Sequence, residues 1–342
     1  MNKTLLKGIL LVSAGAASYG VLATIVRLAY NEGYTTAEAT VSQYVTGLLV
    51  MGVLVLFSPK ARRSTGHGAG TAASTGRGDG TVPNSGSSGD GPAAGFGSGG
   101  ELAPVARRNT VFRLIAGGTA YGLTGVCYYL SVRYIPVSIG VILLMQAIWM
   151  GIILDALLER KFPSPDKCAA VVVILLGTLM ATNAIGNFNE LDLRGIGWGM
   201  GAALTYTVSL FVANRMALQM HPRKKSFWIL TGGAAIILLI WFPQLFSGFQ
   251  FSIFGKWGLL LALFGTVLPP LLLNMGMPKT GIGLGSILIS IEIPVSVGSA
   301  YLLLQEQVLA IQWIGIALII ASIVLLNLRT LRNELKASRM PL

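Results

Sequence analysis

Ten apolar runs, each about twenty residues long, follow one another through the 342 residues of this chain, and no other feature constrains its fold as strongly. They fall at about 5–27, 37–57, 110–132, 137–158, 167–186, 195–217, 226–246, 256–276, 283–304 and 308–328. A helix needs roughly 20 mainly apolar residues to cross about 30 Å of hydrocarbon. Inside lipid the backbone must satisfy its own hydrogen bonds, so such runs become helices. The breaks between them hold turn residues or charge: Asn31-Glu32-Gly33, Ile135-Pro136, Pro163-Ser164-Pro165-Asp166, Gly186-Asn187, His221-Pro222, Gly248 and Pro278-Lys279. Gln305-Glu306-Gln307 is the shortest break. Only 11% of residues are charged, against about 25% in a soluble domain, which excludes an ordinary soluble enzyme. The first run is too long for a signal-peptide core and no A-x-A site follows it, so it reads as the first span. The expected fold is an all-α polytopic membrane protein with ten transmembrane helices.

The net charge of +12 would suggest nucleic acid in a soluble protein. Here the basic residues sit in short loops between apolar runs, where membrane topology accounts for them. With both termini cytoplasmic, 21 of the 25 lysines and arginines fall inside, and only Arg27, Arg133, Arg194 and Lys256 fall outside. That asymmetry predicts a multi-pass cell (inner) membrane protein with cytoplasmic N- and C-termini. Cys127 and Cys168 form neither a disulfide framework nor a metal site, and His67 and His221 are far apart. No metal and no cofactor are expected, and no nucleic-acid partner.

Residues 60–108 interrupt the pattern. Within 64–100, thirteen of 37 residues are glycine and Phe96 is the only large apolar residue. Such a segment cannot offset its ordering entropy by burial, so it reads as a disordered cytoplasmic linker. Its Arg77-Gly78-Asp79 tripeptide reads as chance. The expected organisation is 1–59 for the first two spans, 60–108 for the linker, 109–186 for spans three to five, 194–328 for spans six to ten, and 329–342 for a cytoplasmic tail.

The two halves resemble each other. LLMQAIWMGIILDALLERK (Leu143 to Lys161) and LISIEIPVSVGSAYLLLQEQV (Leu288 to Val308) are both apolar, polar-interrupted, and end in Leu-Leu followed closely by Glu159 or Glu306. Each precedes a span with a central glycine, Gly177 or Gly315. Setting Glu159 on Glu306 gives an offset of 147 residues, about five spans, and five is odd, so the halves take opposite topology. Inverted repeats are typical of secondary transporters, with the substrate near the midplane where the repeats meet. Ten spans, five-plus-five halves, Ser18-Tyr19-Gly20, the stretch from Tyr129 to Glu159 and the stretch from Ile291 to Glu306 resemble EamA-type transporters of the drug/metabolite transporter superfamily. The resemblance covers the chain outside 60–108. It implies an inverted pair of five-helix units around a central cavity and carriage of small metabolites or drugs, mostly outward. Ala147 stands where the second half has Pro294, and the linker is an insertion.

Polar residues inside the spans are the candidates for a site. A charge at the bilayer centre costs at least about 2.5–3.5 kcal/mol on insertion scales. Glu292, about nine residues into its span, therefore needs a partner, a water-filled cavity or a proton. Pro294 removes a helical donor from the Ser290 carbonyl and should kink the helix there, leaving a place for a cation, an amine or a proton. Gln146 lies at similar depth in the fourth span, and Trp149 shares its face one turn on. Tyr19, Gln43, Tyr44, Tyr121, Tyr206 and Asn274 are further substrate-binding candidates, Tyr19 and Tyr206 at comparable positions in the first helix of each half. Arg27 and Glu38 flank the first external loop, where they could pair across the mouth or receive a substrate carboxylate; with Glu292 and Pro294 they are the gating and coupling candidates.

The function expected from these features is secondary transport, as an exporter or exchanger, of small polar metabolites such as amino acids, by alternating access, with protons as a possible coupling ion and no enzymatic activity. The alternatives are a non-transporting membrane sensor or scaffold and, less favoured, a membrane-embedded lipid-modifying enzyme. Oligomeric state is not legible.

Overall fold

A computed structural model describes residues 3–57, 104–160, 165–182, 192–216, 222–280 and 288–337, together with the isolated positions 162, 220 and 285. The 64–100 tract lies outside the described residues. Among those described, every regular element is helical. In chain order they are α1 (Lys3–Asn31), α2 (Thr36–Leu56), α3 (Pro104–Tyr134), α4 (Val137–Leu144), α5 (Ala147–Glu159), α6 (Pro165–Ala181), α7 (Leu193–Arg215), α8 (Pro222–Ile240) and the short α9 (Phe242–Phe246). They continue with α10 (Trp257–Ala262), α11 (Leu268–Thr280), α12 (Glu292–Leu304) and α13 (Ala310–Ala337). Five stretches are long and apolar enough to cross a bilayer, at Thr4–Asn31, Thr36–Leu56, Val137–Leu158, Leu193–Val212 and Trp257–Met277, and three shorter apolar helices accompany them. The chain is thus a multi-pass membrane protein.

Three spans are interrupted, and the interruptions matter for the site. A two-residue break at Met145 and Gln146 separates α4 from α5 with no proline to force it. A second break, at Ser290 and Ile291, precedes α12. Between α10 and α11 a π-helical segment, Leu263–Val267, widens the turn; such bulges release carbonyls from the helical ladder and recur at functional positions.

Pro294 does not kink its span in mid-helix. It is the third residue of α12, where a missing N–H is tolerated because that group has no intrahelical partner. The Ser290 carbonyl accepts from the Ile293 N–H at 3.2 Å instead. The backbone also shifts the correspondence between the halves. α5 and α12 are both 13 residues long and begin 145 positions apart. Each ends on a residue in left-handed backbone, Arg160 at φ 51° and Gln305 at φ 57°. On that register Glu306 stands opposite Lys161, not Glu159, and Trp149, not Ala147, stands opposite Pro294.

Packing is by neighbouring pairs. α1 lies against α11 and α12; α7 lies against α3 and against α4 and α5; α2 lies on α8, and α6 on α13. Glycine makes the closest of these approaches possible. A methyl on Gly232 of α8 would overlap the Ile115 carbonyl of α3, and one on Gly177 of α6 would come within 2.9 Å of the Gly315 carbonyl of α13. Polar contacts gather the end of α1 and the start of α10 (Glu32 to Lys256, 2.7 Å), the start of α4 and the loop after α12 (Val137 to Glu306, 2.7 Å), and the end of α6 with the start of α13 (Ala181 to Gln312, 3.0 Å).

Candidate functional site

Glu292 opens α12 directly after its break and is only 7% exposed. Among the described residues no hydrogen bond or ion pair reaches its carboxylate. Its neighbour across the helix interface is Gly20 of α1, whose lack of a side chain leaves the Glu292 carbonyl room: an added Cβ would stand 2.8 Å from it. The break and the close approach together hold the acid where α1 and α12 meet.

The carboxylate borders a cavity of about 60 Å³ walled by Tyr19, Tyr44, Tyr121, Tyr128, Tyr129 and Tyr206, with Gln43, Thr124, Leu22, Leu144, Gly125 and Gly265 completing the lining. A cavity of this size that offers several polar partners has room for a few waters. Tyr128 and Tyr206 share this lining with Glu292. The other tyrosines are wired to one another. The Tyr19 and Tyr121 hydroxyls lie 3.3 Å apart, Tyr44 donates to the Tyr121 carbonyl at 2.9 Å, and Tyr121 donates to the Gly265 carbonyl at 3.3 Å. That last acceptor, and the Phe264 carbonyl that takes Ser18 Oγ at 3.3 Å, belong to the π segment. The Tyr129 hydroxyl donates to the Gln43 side-chain amide; the other end of that amide has no protein partner among the described residues and presses against Gly265. The lining thus offers a carboxylate and one end of an amide without hydrogen-bond partners among the described residues, together with six tyrosines.

Residues 193–328, from α7 into α13, match the EamA-like transporter family. A curated protein of Synechocystis, named as an uncharacterized transporter, is 26% identical over 232 residues, covering 66% of this chain and 70% of its own length. Both comparisons support an EamA-type transporter. The matched stretch contributes Tyr206, Gly265 and Glu292 to the cavity, while Tyr19, Gln43, Tyr44, Tyr121, Tyr128 and Tyr129 come from α1–α3, outside it.

Of the site residues expected from the sequence, Tyr19, Gln43, Tyr44, Tyr121, Tyr206 and Glu292 are brought together. Gln146 and Trp149 are not. Gln146 sits in the α4–α5 break at 2% exposure and donates to the Ile142 carbonyl (3.0 Å) and Thr178 Oγ1 (2.7 Å), while Trp149 Nε1 donates to its Oε1 at 2.8 Å. This pair replaces helical bonds lost at the break and ties it to α6. Asn274 belongs to α11, and its side chain lies outside those described. Arg27 and Glu38 do not pair. Arg27 caps the last turn of α3, donating to the carbonyls of Val132 (2.6 Å) and Arg133 (3.1 Å), a favourable place for a cation beside unpaired carbonyls. Glu38 closes a capping box on Thr35 and takes the Gln250 N–H at 2.6 Å.

Tyr128, Tyr129, Thr124 and Gly265 join the lining without being among the residues expected from the sequence. For two of them the signal is present: Thr124 and Tyr128 recur with Tyr121 and Gly125 at the i, i+3/i+4, i+7 spacing of one helix face. Gly265 gives no such signal, because its place depends on the π segment.

Proposed function

We propose that this transporter is a secondary carrier of small polar solutes bearing an amine, amino acids among them, working by alternating access as an exporter or exchanger. The observation that carries the reading is the buried, unpaired Glu292 carboxylate facing a tyrosine-walled cavity. A buried charge without a partner is costly, so Glu292 is suited to receive a solute ammonium group or a proton. Tyr19, Tyr206 and the free end of the Gln43 amide hold the remainder of the solute. The reading takes the chain as ten spans in two inverted five-helix units in the inner membrane, both termini cytoplasmic. The reciprocal packing of α1 on α11–α12 and of α7 on α3–α5 supports the inverted arrangement. The gathering at one end of the starts of α4, α10 and α13 with the ends of α1 and α6 supports alternating spans.

The test is counterflow of radiolabelled amino acids into proteoliposomes holding the wild type or Glu292→Gln. Loss of flux by about tenfold or more, the cost of about 1.4 kcal/mol, is the expected result for the variant. Equal flux and equal pH dependence in the two proteins would overturn the role of Glu292.

A further inference from the structure

A second cavity, of about 240 Å³, lies at the end of the bundle that carries Glu32 and shares no lining residue with the first. It is bounded by the first turn of α2, the last turn of α3 and the α8–α9 corner. Two of its polar residues, Arg133 and Trp241, are donors only. Arg133 is exposed, and its guanidinium makes no hydrogen bond or ion pair among the described residues. Trp241 lines the same cavity, and its ring N–H is buried without an acceptor among the described residues. The acid in the lining, Glu38, is already engaged: one oxygen takes the Thr35 N–H (2.7 Å) and hydroxyl (2.9 Å), the other the Gln250 N–H (2.6 Å). A buried donor left unpaired is costly, so the ligand complementary to this cavity is one that brings acceptors and negative charge. The surroundings say where such a group comes from. Beside the cavity, α9 exposes Phe242 (58%) and Phe246 (78%), packed edge to face at 5.2 Å, and apolar rings exposed on a short helix at the end of a span bury into the boundary between headgroups and acyl chains.

We propose that this cavity is an oxyanion site that takes the phosphate of a phospholipid headgroup, with Arg133 pairing the phosphate and the Trp241 N–H donating to one of its oxygens. The site does not depend on which solute the transporter carries.

The test uses the full-length protein in detergent and native mass spectrometry with added phosphatidylglycerol, with a galactolipid that lacks phosphate, and with inorganic phosphate as competitor. The variants are Arg133→Gln and Trp241→Phe, the second keeping the ring and deleting only the N–H. The wild type is expected to retain phosphatidylglycerol over the galactolipid, and each variant to hold it about tenfold less tightly, as the loss of a charge-assisted bond would give, with an unchanged melting temperature in detergent alone. Equal retention of the two lipids, or unchanged retention in both variants, would overturn the site. Full displacement by millimolar inorganic phosphate would overturn the lipid assignment in favour of a soluble oxyanion.

Discussion

The carboxylate of Glu306 receives the backbone N–H of Val137 at 2.7 Å, and its second oxygen takes the Ser138 N–H at 3.1 Å and hydroxyl at 2.8 Å. The first N–H groups of a helix lack intrahelical acceptors and concentrate positive potential. Pro136 precedes α4 and provides no side-chain cap of its own. The left-handed turn at Gln305 ends α12 just before Glu306, and so the acid of the Leu-Leu-x-Glu signature serves as a cap supplied across the bundle. Glu306→Ala is expected to cost about 1–2 kcal/mol, the usual cost of a lost cap, read as a lower melting temperature of the purified protein. Glu306→Gln keeps an acceptor and should lose less. Identical melting for both variants and the wild type would show that the cap contributes nothing.

The hydrogen bond from Tyr129 to Gln43 sets which end of the Gln43 amide faces the cavity. Tyr129→Phe keeps the buried ring and removes the donor, leaving the amide free to turn. Under the transport reading, the expected outcome is a raised KM with little change in maximal flux, because a binding group has lost its orientation. The stability loss should be about 1 kcal/mol, the net value of one such bond. An unchanged KM in proteoliposomes would remove Gln43 from the solute contacts.

How much of this was readable beforehand depends on what each feature needs in order to be decided. Span lengths follow from bilayer thickness, so α2 at Thr36–Leu56 falls within one residue of the run at 37–57. Glu292 was legible because a carboxylate deep in an apolar run has few explanations. The partners of side chains were harder, because they depend on helix crossings and register. Gln146 and Trp149 share a face as expected, yet that face turns on the α4–α5 break and on Thr178, and nothing local marks a break that lacks proline. The Leu-Leu-x-Glu match placed Glu159 on Glu306, whereas the helix ends pair two residues differently, because the left-handed residue closes the helix directly after Glu159 in one half and directly after Leu304 in the other. The π segment at Leu263–Val267 likewise turns Gly265 toward Gln43 with no sequence mark of its own.

The α3–α8 contact gives a test of packing alone. An added methyl at Gly232 would meet the Ile115 carbonyl and stand 3.1 Å from the Gly118 Cα, backbone atoms that cannot rotate away. Gly232→Ala should therefore destabilise the protein by about 1–3 kcal/mol, the usual cost of overpacking. Gly151→Ala, where a Cβ meets nothing within 4 Å, should be neutral to mildly stabilising in its helix. Thermal melts of the two variants side by side check the contrast; equal melting temperatures would mean that α3 and α8 do not approach as closely as described.

Glu32 links the loop after α1 to the start of α10. Its two oxygens take Lys256 Nζ at 2.7 Å and Trp257 Nε1 at 2.5 Å, and Lys256 also lies 4.3 Å from the centre of the Trp257 ring. These hydrogen bonds, from Lys256 first and Trp257 second, hold the Glu32 carboxyl below its ordinary value of 4.5. A carboxyl whose folded pKa is depressed binds its proton more readily in the unfolded chain. The clasp's contribution is therefore complete above the ordinary glutamate value and is lost as pH falls through the lower, folded one. The pair is solvent-exposed, so salt should weaken it as well. Melting temperature followed from pH 6 to pH 3 should fall less steeply for Glu32→Gln than for the wild type, the two curves converging at the acid end. The gap at pH 6 should narrow in high salt. Parallel curves across that range would show that Glu32 carries no pH-dependent share of the stability.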